Sequence, residues 1–328
     1  MRHYNLGEPA LADYDLFNGD ADGLCALQQL RLSEPRDSTL ITGVKRDIAL
    51  LSRVAPAAGD RLTVLDISLD KNRADLRRVL EAGASVRWFD HHYAGEIPSH
   101  DRFEAHIDPR PDQGTSLLVN HALGGRFLEW ALVGTFGDNF DTRARALASE
   151  VDLSARDTEA LRELGILLNY NGYGAQVSDL HFPPDALFRR LEPYHDPREF
   201  IAADEAFGQL RAGYAQDMAL AQALAPELAS PTHCLLRLPS EPWARRVSGV
   251  LGNALAQQAP GRAHALLTVL DQGGYLVSVR APLERPDGAD ALCRQFATGG
   301  GRKAAAGINA LPESDYDRFV SAFHAAFT

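Results

Sequence analysis

The sequence predicts an α/β protein whose N-terminal part is a doubly wound parallel sheet, followed by a smaller C-terminal α/β domain. Three observations predict it. Short apolar runs alternate with longer, helix-periodic stretches through the first 140 or so residues. Acidic residues fall where those runs stop, which is where open α/β sheets bind ligands. The composition shifts near Pro231, beyond which a new set of strand-like runs begins.

Taken in order, Tyr14–Phe17 is a short apolar run closed by an Asp/Gly turn, and Leu24–Leu32 is apolar at helical spacing. Residues 39–42 are a second strand, and 47–54 have a helical pattern. Residues 61–66 (RLTVLD) form the third strand, 71–81 a charged helix stopped by Gly83, and 85–90 (SVRWFD) the fourth strand. Residues 126–168 read as helical, broken at GTFGDNFD. A polar, Gly-rich stretch (NYNGYGAQVSD) and a Pro-rich one (His181 to Pro197) follow, the latter read as a mobile linker. Residues 199–228 are rich in alanine and leucine and read as a spacer helix. HCLLRL, HALLTVLD and YLVSVRA are strand-like, with a helix over 244–258 among them. The expected organisation is a domain over 1–198, a helical linker over 199–230 and a domain over 231–328, with a cleft between the two domains.

Composition narrows the class. A chain of 328 residues with 45% hydrophobic and 23% charged residues has ample material for two cores. Cys25, Cys234 and Cys293 are far apart and form no CxxC pair, which argues against disulfides and against a cysteine-built zinc site. The N-terminus has no apolar signal core, and no stretch approaches the roughly 18 apolar residues of a membrane span. A cytoplasmic location without membrane attachment is expected. The net charge of -11 disfavours wrapping long duplex DNA, whose phosphates call for a basic surface. It suits a carboxylate-rich metal site acting on a small anion.

Four motifs carry chemistry. Asn18-Gly19-Asp20-Ala21-Asp22-Gly23 is either a solvated turn or two aspartates that each hold a divalent cation. Asp66, at the end of VLD, is either a helix cap or a bridging ligand with two oxygens. Asp90-His91-His92 places two imidazoles after an aspartate at the end of an apolar strand; neutral imidazole ligates manganese or zinc, and a neighbouring carboxylate fixes its tautomer. Gly137-Asp138-Asn139-Phe140-Asp141 is a polar loop with two further carboxylates.

DADG, VLD, DHH and GTFGD, in this order, resemble the signature motifs of the DHH phosphoesterase superfamily, and the resemblance covers most of the chain. That superfamily includes RecJ-type exonucleases, nanoRNases, cyclic-dinucleotide phosphodiesterases and polyphosphatases. Gly299-Gly300-Gly301-Arg302, leading into KAAAG, resembles the glycine motif of the DHH-associated C-terminal domain, where that loop approaches the substrate. The resemblance implies two Mn2+ ions, with Mg2+ or Co2+ as alternatives. Asp20 would ligate one ion and Asp22 the other, Asp66 would bridge them, and His91 would be the ligating histidine with Asp90 supporting it. His92 would face the scissile phosphate. Asp138 best matches the last ligand, with Asp141 the competing choice. The sequence departs from the pattern in three places. Leu16 stands where many members have a ligating histidine, Asn18 where RecJ-like members have a further aspartate, and Arg302 where the glycine motif has histidine. Arginine cannot serve as an acid or base there, but it grips phosphate bidentately.

Thr115 and Ser116 open a segment that also resembles the family, with helix capping as the preferred role. If GGGRKAAAG were only a glycine turn into a helix N-terminus, that terminus would still favour an anion. The expected activity is hydrolysis of phosphodiester bonds in short oligonucleotides or dinucleotides, as in a nanoRNase-like 3′–5′ exonuclease, by a metal-activated water. The chain could work as a homodimer. A polyphosphatase is the first alternative, and a catalytically impaired nucleotide-binding regulator the second. Lys45, Arg46 and NYNGYG are polar features without an assigned role.

Overall fold

A computed structural model describes residues 11–328 of the chain. Packing divides it into two compact units, one comprising the residues up to Gly172 with Phe182–Gly208, the other Tyr173–His181 with Gln209–Thr328.

The first unit runs β1 (Asp13–Phe17), α1 (Ala21–Ser33), β2 (Thr39–Ile41), β3 (Arg61–Leu65), α2 (Leu69–Glu81), β4 (Ser85–Asp90) and β5 (Phe103–Ile107). Six helices follow: α3 (Thr115–Ala122), α4 (Leu128–Gly137), α5 (Asp141–Glu150), α6 (Ala155–Gly172), α7 (Pro184–Leu191) and α8 (Pro197–Ala203). The strands form one sheet in the order β2-β1-β3-β4-β5, with every pair parallel. The order reverses between β1 and β3, the switch point at which doubly wound sheets open a crevice beyond their carboxyl ends. Leu62, Val64, Leu65, Val86, Trp88 and Phe89 are buried, as parallel central strands require. The buried Asp15 of β1 takes a bidentate bond from Arg31 of α1, at 2.6 and 2.7 Å.

Local differences from the sequence reading have physical causes. Strand β5 (FEAHI) has no signature in the sequence; it is an edge strand that carries Glu104 and His106, so it lacks an apolar run. Residues 47–54 hold only a 3-10 turn over Leu50–Arg53, and Ala55-Pro56 follows directly. GTFG does not break a helix but completes α4, because Gly134 and Gly137 let α1 and α6 approach. A Cβ on Gly137 would lie 2.3 Å from Ala21 Cβ and 2.9 Å from the Gly165 carbonyl. Asn169–Gly172 are the last turn of α6, not a loop, and the Asn171 amide there bonds the Phe182 backbone both ways, at 2.9 and 3.0 Å. The Pro-rich stretch forms α7 and α8, each with proline in its first turn, where the missing N–H costs nothing. Gln28 of α1 ties this stretch down by donating to the Leu191 and Tyr194 carbonyls.

The second unit contains most of α9 (Glu205–Gln222), then β6 (Leu228–Ala229), β7 (His233–Leu238), α10 (Pro242–Gln258), β8 (Ala263–Val269) and β9 (Tyr275–Arg280). It ends with α11 (Ala289–Cys293), β10 (Gly299–Gly301), β11 (Ala305–Leu311) and α12 (Tyr316–Ala326). Its sheet has the order β10-β11-β9-β8-β7-β6; β7 and β8 are parallel across α10 and the other pairs antiparallel. Phe319, Phe323 and Phe327 pack with Leu235, Leu267 and Ile308 in its core. The GGGRKAAAG segment is a hairpin rather than a turn into a helix. Arg302 and Ala305 exchange backbone bonds of 2.9 and 3.2 Å, and β11 follows. The helix-terminus argument for anion binding therefore lapses; what remains is an exposed Arg302-Lys303 tip. Among the described residues, no helix is long and apolar enough to cross a membrane.

Gly137→Ala should destabilise the protein by about 1–3 kcal/mol through overpacking, read as a lower urea midpoint; an unchanged midpoint would contradict the close approach. His264 of β8 is buried with an unpartnered Nδ1, and burial, then the Arg262 cation, lower its pKa from 6.5 to about 4. Its contribution is therefore full above pH 6.5 and is lost as pH falls toward 4, by at most about 1.4 kcal/mol per pH unit. His264→Leu should flatten that part of the pH–stability curve. Equal slopes in variant and wild type would refute the assignment.

Candidate metal centre

The site forms where β1, β3 and β4 end and α4 stops. Asp20 follows β1 as the N-cap of α1, its Oδ1 accepting the backbone N–H groups of Asp22 and Gly23, both at 3.1 Å. Asp22 lies fully buried in the first turn of α1. Its carboxylate accepts the N–H of Thr115 at 2.6 Å and that of Ser116 at 2.8 Å. Asp22 thus satisfies the start of α3, and the expected capping by the Thr115 and Ser116 side chains is corrected. Thr115 Oγ1 donates instead to Asp66 Oδ1 at 2.9 Å, and Ser116 Oγ to the Ala131 carbonyl.

Asp66 directly follows β3 with φ of 58°, in the left-handed region where aspartate is tolerated but uncommon. It caps no helix, since Ser68 precedes α2. That conformation turns its side chain toward Thr115 and His91. Asp90 ends β4 and its Oδ1 meets His92 Nδ1 at 2.7 Å, so the carboxylate orients His92 where the sequence reading paired it with His91. His92 is 40% exposed.

His91 is the centre of the arrangement. Its side chain is 4% exposed, and Nε2 lies 3.3 Å from Asp138, 3.4 Å from Asp66 and 3.9 Å from Asp22. Neither ring nitrogen has a hydrogen-bond partner. Phe140 packs edge-on against the ring at 6.0 Å. Asp138 follows α4 and reaches this cluster, whereas Asp141 pairs with Arg162 at 2.5 Å. Asp22, His91 and Asp138 each offer a ligand atom within 4.8 Å of the others, and so do Asp66, His91 and His92. A buried, unpartnered imidazole among carboxylates fits a divalent cation taking oxygen and nitrogen ligands.

The electrostatics agree. Burial, then Asp138, push the Asp22 pKa up to about 6, and burial with Asp20 and Asp22 lifts Asp66 well above the usual carboxylate range. Burial opposes a charge on His91, yet Asp138, Asp22 and Asp90 raise its pKa to about 9. Burial likewise opposes a charge on Asp138, but Lys45 and His91 hold it well below the usual range. Two residues that the sequence leaves without a role join the site. Lys45 lies in the loop after β2, its Nζ 2.5 Å from Asp20, and Asn169 of α6 meets that Nζ at 2.9 Å. Neither belongs to a motif with a spacing of its own; tertiary packing alone brings them in.

Asn18 is buried and its amide donates to the Lys45 carbonyl at 3.3 Å. Leu16 is buried in β1 among apolar neighbours and brings no ligand. Gly299, Gly300, Gly301 and Arg302 lie in the second unit, on β10 and the hairpin tip. His91→Ala should weaken Mn2+ binding more than about 100-fold. Titration calorimetry would measure it, and a dissociation constant within a few-fold of wild type would exclude His91 as a ligand.

No family model and no curated protein matches the chain. Solved structures do. A manganese-bound RecJ exonuclease is 20% identical, with a TM-score of 0.60 over 96% of this chain and 89% of its own. The DHH domain of a member of a ribosomal-protein family is 12% identical, with a TM-score of 0.62 over 96% and 86%. PggH, a pGpG-specific phosphodiesterase from Vibrio cholerae, is 17% identical, with a TM-score of 0.54 over 96% and 99%. The motif order read from the sequence and this shared architecture agree, and the chain has the fold of the DHH superfamily.

Proposed function

We propose that the protein is a divalent-cation-dependent phosphoesterase that hydrolyses phosphodiester bonds of short oligonucleotides or dinucleotides, with Mn2+ as the preferred ion. The observation that carries this reading is His91, buried and unpartnered, with Asp22, Asp66 and Asp138 around it. Structural similarity to an exonuclease bound to manganese and to a pGpG phosphodiesterase supports the substrate class.

A bound divalent cation supplies Lewis-acid charge and lowers the pKa of its water. The protein's part is to place ligands and substrate. Backbone N–H groups fix the Asp22 carboxylate, Thr115 fixes Asp66, and Phe140 limits rotation of His91. The Asp90 carboxylate, 2.7 Å from His92 Nδ1, orients the ring and leaves Nε2 to face a non-bridging phosphate oxygen of the substrate. Arg302, exposed at its hairpin tip, is proposed to contact substrate phosphate through its planar fork of N–H donors.

The test is a product assay with Mn2+ on dinucleotides, five-nucleotide RNA and DNA, cyclic dinucleotides and polyphosphate. Mononucleotides are expected from the short oligomers, with Asp66→Ala inactive and His92→Ala reduced in kcat by about 100-fold or more. Arg302→Ala should raise KM while leaving kcat nearly unchanged. Orthophosphate from polyphosphate alone would replace the nucleotide reading with the polyphosphatase one. Nucleotide binding without turnover would leave a regulator.

A further inference from the structure

The geometry points to a site that takes one divalent cation, with the ammonium of Lys45 standing where a second would bind. This rests on the metal-dependent reading above and narrows it. Lys45 Nζ lies 2.5 Å from Asp20 Oδ2, 2.9 Å from Asn169 Oδ1 and 3.0 Å from Asp138 Oδ1. An ammonium has three N–H donors, and three oxygens take them. A small divalent ion needs its oxygens at about 2.1 Å, so it could close around these only by expelling the lysine.

The lysine is held from behind. Its backbone N–H donates to the Gly172 carbonyl at 2.8 Å, and its carbonyl accepts from the Asn18 amide. Asp20 is engaged on both sides, one oxygen capping α1 and the other on Lys45. No imidazole reaches this side, because the residue four positions before Asp20 is the buried Leu16. Asn18, whose Oδ1 is buried without a partner, offers only a neutral oxygen there.

The other side of the cluster is the reverse case. His91 is 4% exposed, both its nitrogens lack partners, and Nε2 points among Asp22, Asp66 and Asp138. Neither convergent ligand group includes Asp20. One half of the acidic cluster is therefore already neutralised by a tethered cation, and the other half is left for a mobile one. A lysine is a point charge without Lewis-acid orbitals, so it can hold carboxylates in place and attract a phosphate but cannot activate water.

Metal content and electron paramagnetic resonance of the full-length protein, equilibrated with Mn2+ and then freed of excess, test this directly. The expected result is one Mn2+ per chain with the six-line spectrum of an isolated ion. Asp20→Asn, which keeps a capping oxygen, should still hold one ion, and His91→Ala none. Lys45→Ala, checked for folding by circular dichroism, should take up a second ion in Mn2+ excess. Two ions or a spin-coupled pair in the wild type would overturn the inference while leaving the phosphoesterase reading intact. So would a Lys45→Ala protein that stays at one. No bound manganese in the wild type would overturn both.

Discussion

Crowding of buried carboxylates at one end of the sheet is the constraint on which the rest of the first unit depends. Asp20, Asp22 and Asp66 are almost fully buried, with Asp138 beside them. Burying unpaired charge costs several kcal/mol per ion even after relaxation, by the usual order of magnitude. Such a cluster persists only if cations and N–H groups are brought to it. The chain supplies Lys45, the amide groups that start α1 and α3, and the Thr115 hydroxyl. Around His91 these groups do not suffice, and that deficit is what a metal ion would remedy.

The scaffold is arranged to hold those partners still. The reversal of strand order between β1 and β3 brings Asp20 and Asp66 to neighbouring strand ends. The start of α3 rests on Asp22, so a side chain read as a ligand also organises a helix. The glycines of α4 let α1 and α6 close in, which brings Asp138 and Asn169 within reach of one lysine. Packing and electrostatics are thus coupled here: a change that spreads these helices apart also disperses the charges that Lys45 and His91 counter.

The second unit follows a different logic. Its sheet is mostly antiparallel and rests on a phenylalanine-rich helix, and its buried aspartates are matched by arginines: Asp179 pairs with Arg245 at 2.9 Å and Asp217 with Arg246 at 2.7 Å. The glycines of its C-terminal motif serve the backbone. A Cβ on Gly299 would lie 1.7 Å from the Cys293 carbonyl, and Gly301 has φ of 138°. Chain geometry accounts for these two glycines, and the hairpin they permit leaves Arg302 and Lys303 exposed at its tip.

The sequence by itself determined the class of fold and the order of its motifs. Apolar runs such as RLTVL and SVRWF mark buried parallel strands through local pattern alone, and the acidic residues at their ends mark the edge at which the carboxylates gather. Edge strand β5 and the helices built from GTFG and NYNG escaped, because their residues answer to neighbours distant in the chain. Only the tertiary structure decided how each carboxylate is used. Asp22 serves α3, Asp90 serves His92, Asp20 faces Lys45, and Asp138 rather than Asp141 joins His91. Those pairings join residues as far apart as Asp22 and Ser116 or Lys45 and Asn169, and they form because a buried polar group is costly unless it is partnered in three dimensions, whatever its distance along the chain.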